Sequence, residues 1–169
     1  ELHRMLRRWI PKVLGLLSWG WSSAMAAQSI TPELLTVLPL AQQEVSGIIH
    51  VDGMTWVCLD SNNPNKLYRI DTVTGAVLRE LELSNATNID WEDVAADEEW
   101  VYVADIGNNT GARTDLRFYR FQRAALWGPA DVVLVDTIRF YYADQTDHTP
   151  IPDGTNWDAE AVLAYDVGS

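Results

Sequence analysis

From Val45 onward the apolar residues come in short runs broken by Asp, Asn, Gly and Pro, the pattern of strands joined by turns. Runs at 45–51, 54–59, 66–70 and 76–83 form one set of four. Between the third and fourth, Asp71-Thr72-Val73-Thr74-Gly75 reads as a tight hairpin in which Gly75 takes positive φ. A second set follows at 92–96, 99–104, 116–121 and about 133–142. Asp52 and Asp97 are 45 residues apart, as are Asp60 and Asp105, and Tyr68-Arg69 returns as Tyr119-Arg120 after 51. A third set opens at 158–166, where Glu160-Ala161-Val162-Leu163 matches Glu92-Asp93-Val94-Ala95.

Short strands repeating at this period predict propeller blades. The expected fold is all-β, a fragment of a β-propeller with four-stranded antiparallel blades at about 44–88 and 89–142. The start of a third blade is expected at 156–169, with the chain truncated early in it. Residues 28–43 read as an N-terminal strand and linker. Within them the apolar stretch Thr31 to Leu40 is expected to form a strand, of the kind that joins a last blade and closes a ring. No helix is expected after residue 27.

The first 27 residues follow a different pattern. Arg4, Arg7, Arg8 and Lys12 precede an apolar run from Val13 to Met25, and Ala24-Met25-Ala26 or Met25-Ala26-Ala27 offers small residues for cleavage. This is the layout of a signal peptide over 1–27. An uncleaved anchor is the alternative, although the run falls short of the roughly 20 apolar residues of a span. No later segment comes close to one, so no membrane span is expected after cleavage. The expected location is secreted or periplasmic.

Setting that segment aside changes the charge. Residues 28–169 keep 8 basic and 23 acidic side chains, a net charge of −15. Such a chain repels nucleic acid and anionic lipid, so no nucleic-acid partner is expected. It suits cations, or a small-molecule, carbohydrate or protein ligand that is neutral or cationic. It equally suits an exported protein that binds nothing. Cys58 is the only cysteine, which excludes an internal disulfide, and its apolar neighbours point to a buried small hydrophobe.

In a four-stranded meander, the start of the first strand and the loop after the second share one edge. Asp90, Glu92, Asp93, Asp158 and Glu160 stand at first-strand starts, as does Glu44; Asp60, Asn62, Asn63, Asp105, Asn108 and Asn109 stand in the loops. All are expected at the mouth of a central channel. Carboxylates and amides without His or Cys favour a hard cation, here Ca²⁺. Asp90, Glu92, Asp93, Asp158 and Glu160 are assigned as metal ligands. Asp60, Asp105, Asn108, Asn109 and Arg113 are assigned to ligand binding. The alternative is that these side chains only cap turns. Trp91 and Trp157 flank the acidic clusters and either pack or face a ligand. Gly-x-Ser-x-Gly, a His-containing triad and a phosphate-cradling Gly loop are all absent, so no catalytic residue is assigned and enzymatic activity stays open.

The segments Asn88-Ile89-Asp90-Trp91-Glu92-Asp93, Asp105-Ile106-Gly107-Asn108-Asn109 with Arg113 and Asp115, and Pro152-Asp153-Gly154 leading to Asp158-Ala159-Glu160-Ala161 resemble motifs of exported bacterial β-propeller proteins. These are similar to the β-propeller phytases and to the proteins called esterase-like activity of phytase. The resemblance runs over about residues 44–166. It implies a six- or seven-bladed propeller, supported by calcium, with a ligand at the channel mouth. Phytases also place basic residues around substrate phosphate, and here Arg113, Arg117 and Lys66 are the ones at hand. Two functions follow. One is an exported propeller whose acidic mouth holds Ca²⁺ and serves as a ligand-binding or scaffold module. The other is a calcium-dependent hydrolase of phosphoric or carboxylic esters, in which the five carboxylates act as ligands or general base and Arg113 holds an anion.

Overall fold

The structure, a computed structural model, describes residues 31–152 and 154–165. The expected signal peptide lies outside them. The described part is all-β, with no α-helix. β1 (Val45–Val51), β2 (Met54–Leu59), β3 (Lys66–Ile70) and β4 (Val77–Leu83) form an antiparallel meander. β5 (Trp91–Ala96), β6 (Trp100–Asp105) and β7 (Arg117–Gln122) begin a second one, which β9 (Asp136–Arg139) completes. β8 (Val132–Val133) leaves its neighbours and pairs in parallel with β4, as a fifth strand of the first sheet.

Local chemistry explains the boundaries. Asp52 and Gly53 both take positive φ (48° and 73°), giving the two-residue turn that pairs Val51 with Met54. At the β3–β4 turn, Asp71 Oδ1 accepts the N–H of Val73 (2.8 Å) and of Thr74 (3.0 Å), and Gly75 has φ 75°. β2 is buried at every position, because sheet faces are covered on both sides. Trp56, Cys58, Leu67, Leu81 and Leu83 face the second sheet and pack with its Trp91, Val94, Val101, Val103, Tyr119 and Phe121 as one core. On the opposite face, Val57, Leu59, Tyr68 and Ile70 are covered in part by Leu38. Losing a fully buried leucine such as Leu67 or Leu81 would cost about 2–5 kcal/mol.

The two meanders repeat each other, with an offset that the ladders define. A bulge at Val45/Gly47 in β1 recurs at Trp91/Asp93 in β5. Gly47 therefore corresponds to Asp93, an offset of 46, and Leu59 rather than Asp60 is the counterpart of Asp105. Matching like residues along the sequence gave 45; bulge and hairpin register decide otherwise. β1 and β5 approach closely: a Cβ on Gly47 would lie 2.7 Å from both Asp93 Cα and Val94 N.

Three expected strands differ. Residues 31–39 form none, and Leu40–Gln42 is a 3-10 turn in which Gln42 N–H reaches Pro39 O (2.9 Å). Pro32 and Pro39 cannot donate to a ladder. The strand expected over about 133–142 is divided between β8 and β9. Asn85 holds the intervening Val135 onto the first sheet through both backbone groups (2.9 and 2.8 Å). Residues 158–165 carry no strand, because no ladder partner faces them among the described residues.

Candidate metal centre

Asp60 follows the end of β2, and Asp90 and Glu92 stand at the start of β5. Asn88 brings these ends together. Its Nδ2 donates to Leu59 O (2.9 Å) and Asp60 O (2.8 Å), and its Oδ1 accepts Trp91 N–H (3.1 Å). Carboxylate oxygens of Asp60, Asp90 and Glu92 then lie within 4.8 Å of one another, and so do those of Glu92, Asp158 and Glu160. Glu92 belongs to both groups. Gly107 lies directly against them, where a Cβ would overlap Glu92 Oε1 and Asp90 Oδ2.

Among the described residues no Lys or Arg forms an ion pair with any of these five carboxylates. The electrostatic result is strong. Burial, the neighbouring Glu160 and then Asp90 push the Glu92 carboxyl up to about 8. Burial and the charge of Asp60 push Asp90 up to about 6, against the pull of Arg113. Two carboxylate oxygens on opposite sides of a Ca²⁺ ion would be about 5 Å apart, given its oxygen distances of about 2.3–2.6 Å. The observed spacing and the oxygen-only donor set fit such an ion.

Other site residues expected from sequence have different surroundings. Asp93 stands outside both carboxylate groups; its Oδ1 accepts Val94 N–H and its Oδ2 accepts Val162 N–H, each at 2.8 Å. Asp105 is fully buried. Its Oδ1 accepts Asp90 N–H (3.0 Å) and pairs with Arg113 Nη2 (3.0 Å), and its Oδ2 lies 3.2 Å from Arg117 Nε. Burial raises its carboxyl pKa, and the two guanidinium groups pull it back. Arg113 is further committed to Asp115 Oδ1 (3.1 Å) and Gly107 O (2.8 Å), and Arg117 also pairs with Asp115. Both arginines thus brace the loop under the carboxylates.

Asn108 and Asn109 hold the far side. Asn108 N–H donates to Asp158 Oδ1 (2.5 Å), Asn109 Nδ2 donates to Asp158 Oδ2 (3.1 Å), and Asn108 Nδ2 donates to Trp157 O (3.3 Å). Asn62 takes positive φ (62°), as a turn residue does. Asn63 Nδ2 donates to Glu44 Oε2 (2.8 Å) and Asp60 O (3.2 Å). Trp91 is fully buried with Nε1–H on Thr87 O (3.2 Å), so it packs rather than facing a ligand. Trp157 is half-buried against Tyr142, ring centres 5.4 Å apart. Burial pushes the Cys58 thiol up to about 11, which keeps it neutral and unreactive.

Asn88 is the site residue the sequence pattern did not single out. Its signal was an amide two residues before the first carboxylate of an acidic strand start. Among the described residues no helix is long and apolar enough to cross a membrane. Comparison with known proteins finds no match: no family model, no curated protein and no solved structure is recognisably similar to the chain.

Proposed function

We propose that the chain belongs to an exported β-propeller whose acidic mouth binds Ca²⁺ and serves as a ligand-binding or scaffold module. The observation that carries this reading is Glu92. It is a buried carboxylate shared by two groups of acids, with no cationic side chain paired to either group among the described residues. Burying unpaired like charges is costly unless a cation or protons neutralise them. The propeller reading is supported by the repeated bulge and by the packing of one meander's face on the next. Ester hydrolysis is the less favoured reading, because Arg113 and Arg117 are spent on Asp105 and Asp115 rather than directed at an anion.

Calorimetric titration with Ca²⁺, paired with melting curves in Ca²⁺ and in EGTA, tests the reading. Binding should raise the melting temperature by mass action. Glu92→Gln, which touches both groups, should weaken binding more than Asp60→Asn or Asp158→Asn, each of which touches one. Identical melting curves in Ca²⁺ and EGTA would sink it.

A further inference from the structure

We propose that Asp93 positions the second half of the acidic mouth instead of ligating the cation, by pinning the backbone that carries Glu160. Glu92 is the extra residue of the bulge between Trp91 and Asp93, and its oxygens join both carboxylate groups while those of Asp93 join neither. Glu92 faces the carboxylates, and Asp93 instead accepts Val162 N–H (2.8 Å). Val162 lies two residues past Glu160.

The tie matters because of what is missing around it. Residues 158–165 have no ladder to hold them among the described residues. Asn108 and Asn109 fix the near end of this segment through Asp158. Asp93 fixes the far end at Val162. Glu160 is the midpoint of the span between these two anchors, and so is placed against Glu92 without being bonded into a sheet.

The repeat supplies an independent reason. Gly47 is the counterpart of Asp93, and Val94 is the counterpart of Val162 in the matched Glu-x-Val segments. Where β1 meets β5, Gly47 lets the two backbones touch, with its Cβ position 2.7 Å from Val94 N. At the next junction the same backbone N–H is reached by a carboxylate. One position in the repeat thus sets the spacing of successive units twice, once by having no side chain and once by a hydrogen bond.

The affinity readout rests on the calcium reading above; the exchange readout does not. Asp93→Ala, Asp93→Asn and Glu160→Gln are compared in the full chain. Hydrogen exchange at the Val162 amide is measured in EGTA, and Ca²⁺ affinity by calorimetry. Loss of the acceptor in Asp93→Ala should speed Val162 exchange about tenfold and weaken Ca²⁺ binding by a similar factor, the worth of one good hydrogen bond. Asp93→Asn keeps one acceptor oxygen for Val162 and gives up the one facing Val94 N–H, so it should change both by less than Asp93→Ala does. Glu160→Gln should weaken Ca²⁺ binding and leave Val162 exchange unchanged. If Asp93→Asn lowers Ca²⁺ affinity as much as Glu160→Gln, Asp93 is a ligand and the proposal is overturned. Unchanged Val162 exchange in Asp93→Ala overturns it as well. A wild-type chain that binds no Ca²⁺ removes the cation reading, while Val162 exchange still supports or defeats the tie.

Discussion

Gly107 needs no positive φ; it is required for space. Glu92 Oε1 and Asp90 Oδ2 occupy the volume a methyl group would take. Gly107→Ala should destabilise the fold by about 1–3 kcal/mol, a typical cost of overpacking, and should push the carboxylates off their common centre. Urea unfolding and Ca²⁺ titration of the variant check the two effects separately. The same carboxyls predict a pH dependence. Glu92 is raised from 4.5 to about 8 and Asp90 from 3.8 to about 6, so the folded state holds their protons more tightly than the unfolded chain. Their contribution is therefore full at low pH and lost as pH rises through these windows. In EGTA the melting temperature should fall between about pH 4.5 and 8 on this account, and Glu92→Gln should remove most of that fall. Ca²⁺ competes with the protons, so its binding should tighten over the same range.

At the level of elements, β1 to β4 were legible because Asp-Gly, Asn-Pro and Thr-Gly punctuate short apolar runs. β8 was not. A parallel pairing with a strand some fifty residues earlier leaves no local periodicity, and the side chains that fix it, Arg79 and Asn85, are ordinary surface types. Arg79 Nε bonds Asp131 Oδ1 (3.0 Å) and Nη1 bonds Leu126 O (2.9 Å), its guanidinium over Trp56. Asn85→Ala should cost about 1–3 kcal/mol by leaving the backbone of the buried Val135 unpaired. It should also speed exchange at Glu82 and Ser84, whose N–H groups bond Asp131 O and Val133 O. The grouping of Asp90, Glu92, Asp158 and Glu160 was readable from equal positions in a repeat. Asp105 and Asp93 meet other partners, Arg113 and Arg117 for the one and Val162 N–H for the other, because a count of acids along the chain does not say which groups each one faces.

For the molecule as a whole, the carboxylate cluster joins three separate pieces of chain. Asp60 comes from the first sheet, Asp90 and Glu92 from the second, and Asp158 and Glu160 from a segment outside both. Two of these joins are made by amides, Asn88 and Asn108, and the carboxylates themselves work against all three. EGTA should therefore loosen 155–165 first. Limited proteolysis should show earlier cleavage there in chelator than in Ca²⁺, with the β2–β3 region protected in both. Equal cleavage in the two conditions would show that hydrogen bonds alone hold the segment.

β8 also puts the parts of this fold in a time order. The first meander is local in sequence and can form once residue 83 is available, but its β4 edge stays open until residues 132–133 return to cover it. At synthesis rates of roughly 5–20 residues per second, that interval lasts roughly 3–10 s. During it, the nascent chain carries a bare strand edge next to Leu81 and Leu83, the kind of surface that recruits other chains. The charged Arg79, Glu80 and Glu82 on that same strand are its guard until the cover arrives, so neutral residues there would be felt first in yield from the cell and only later, if at all, in the finished protein.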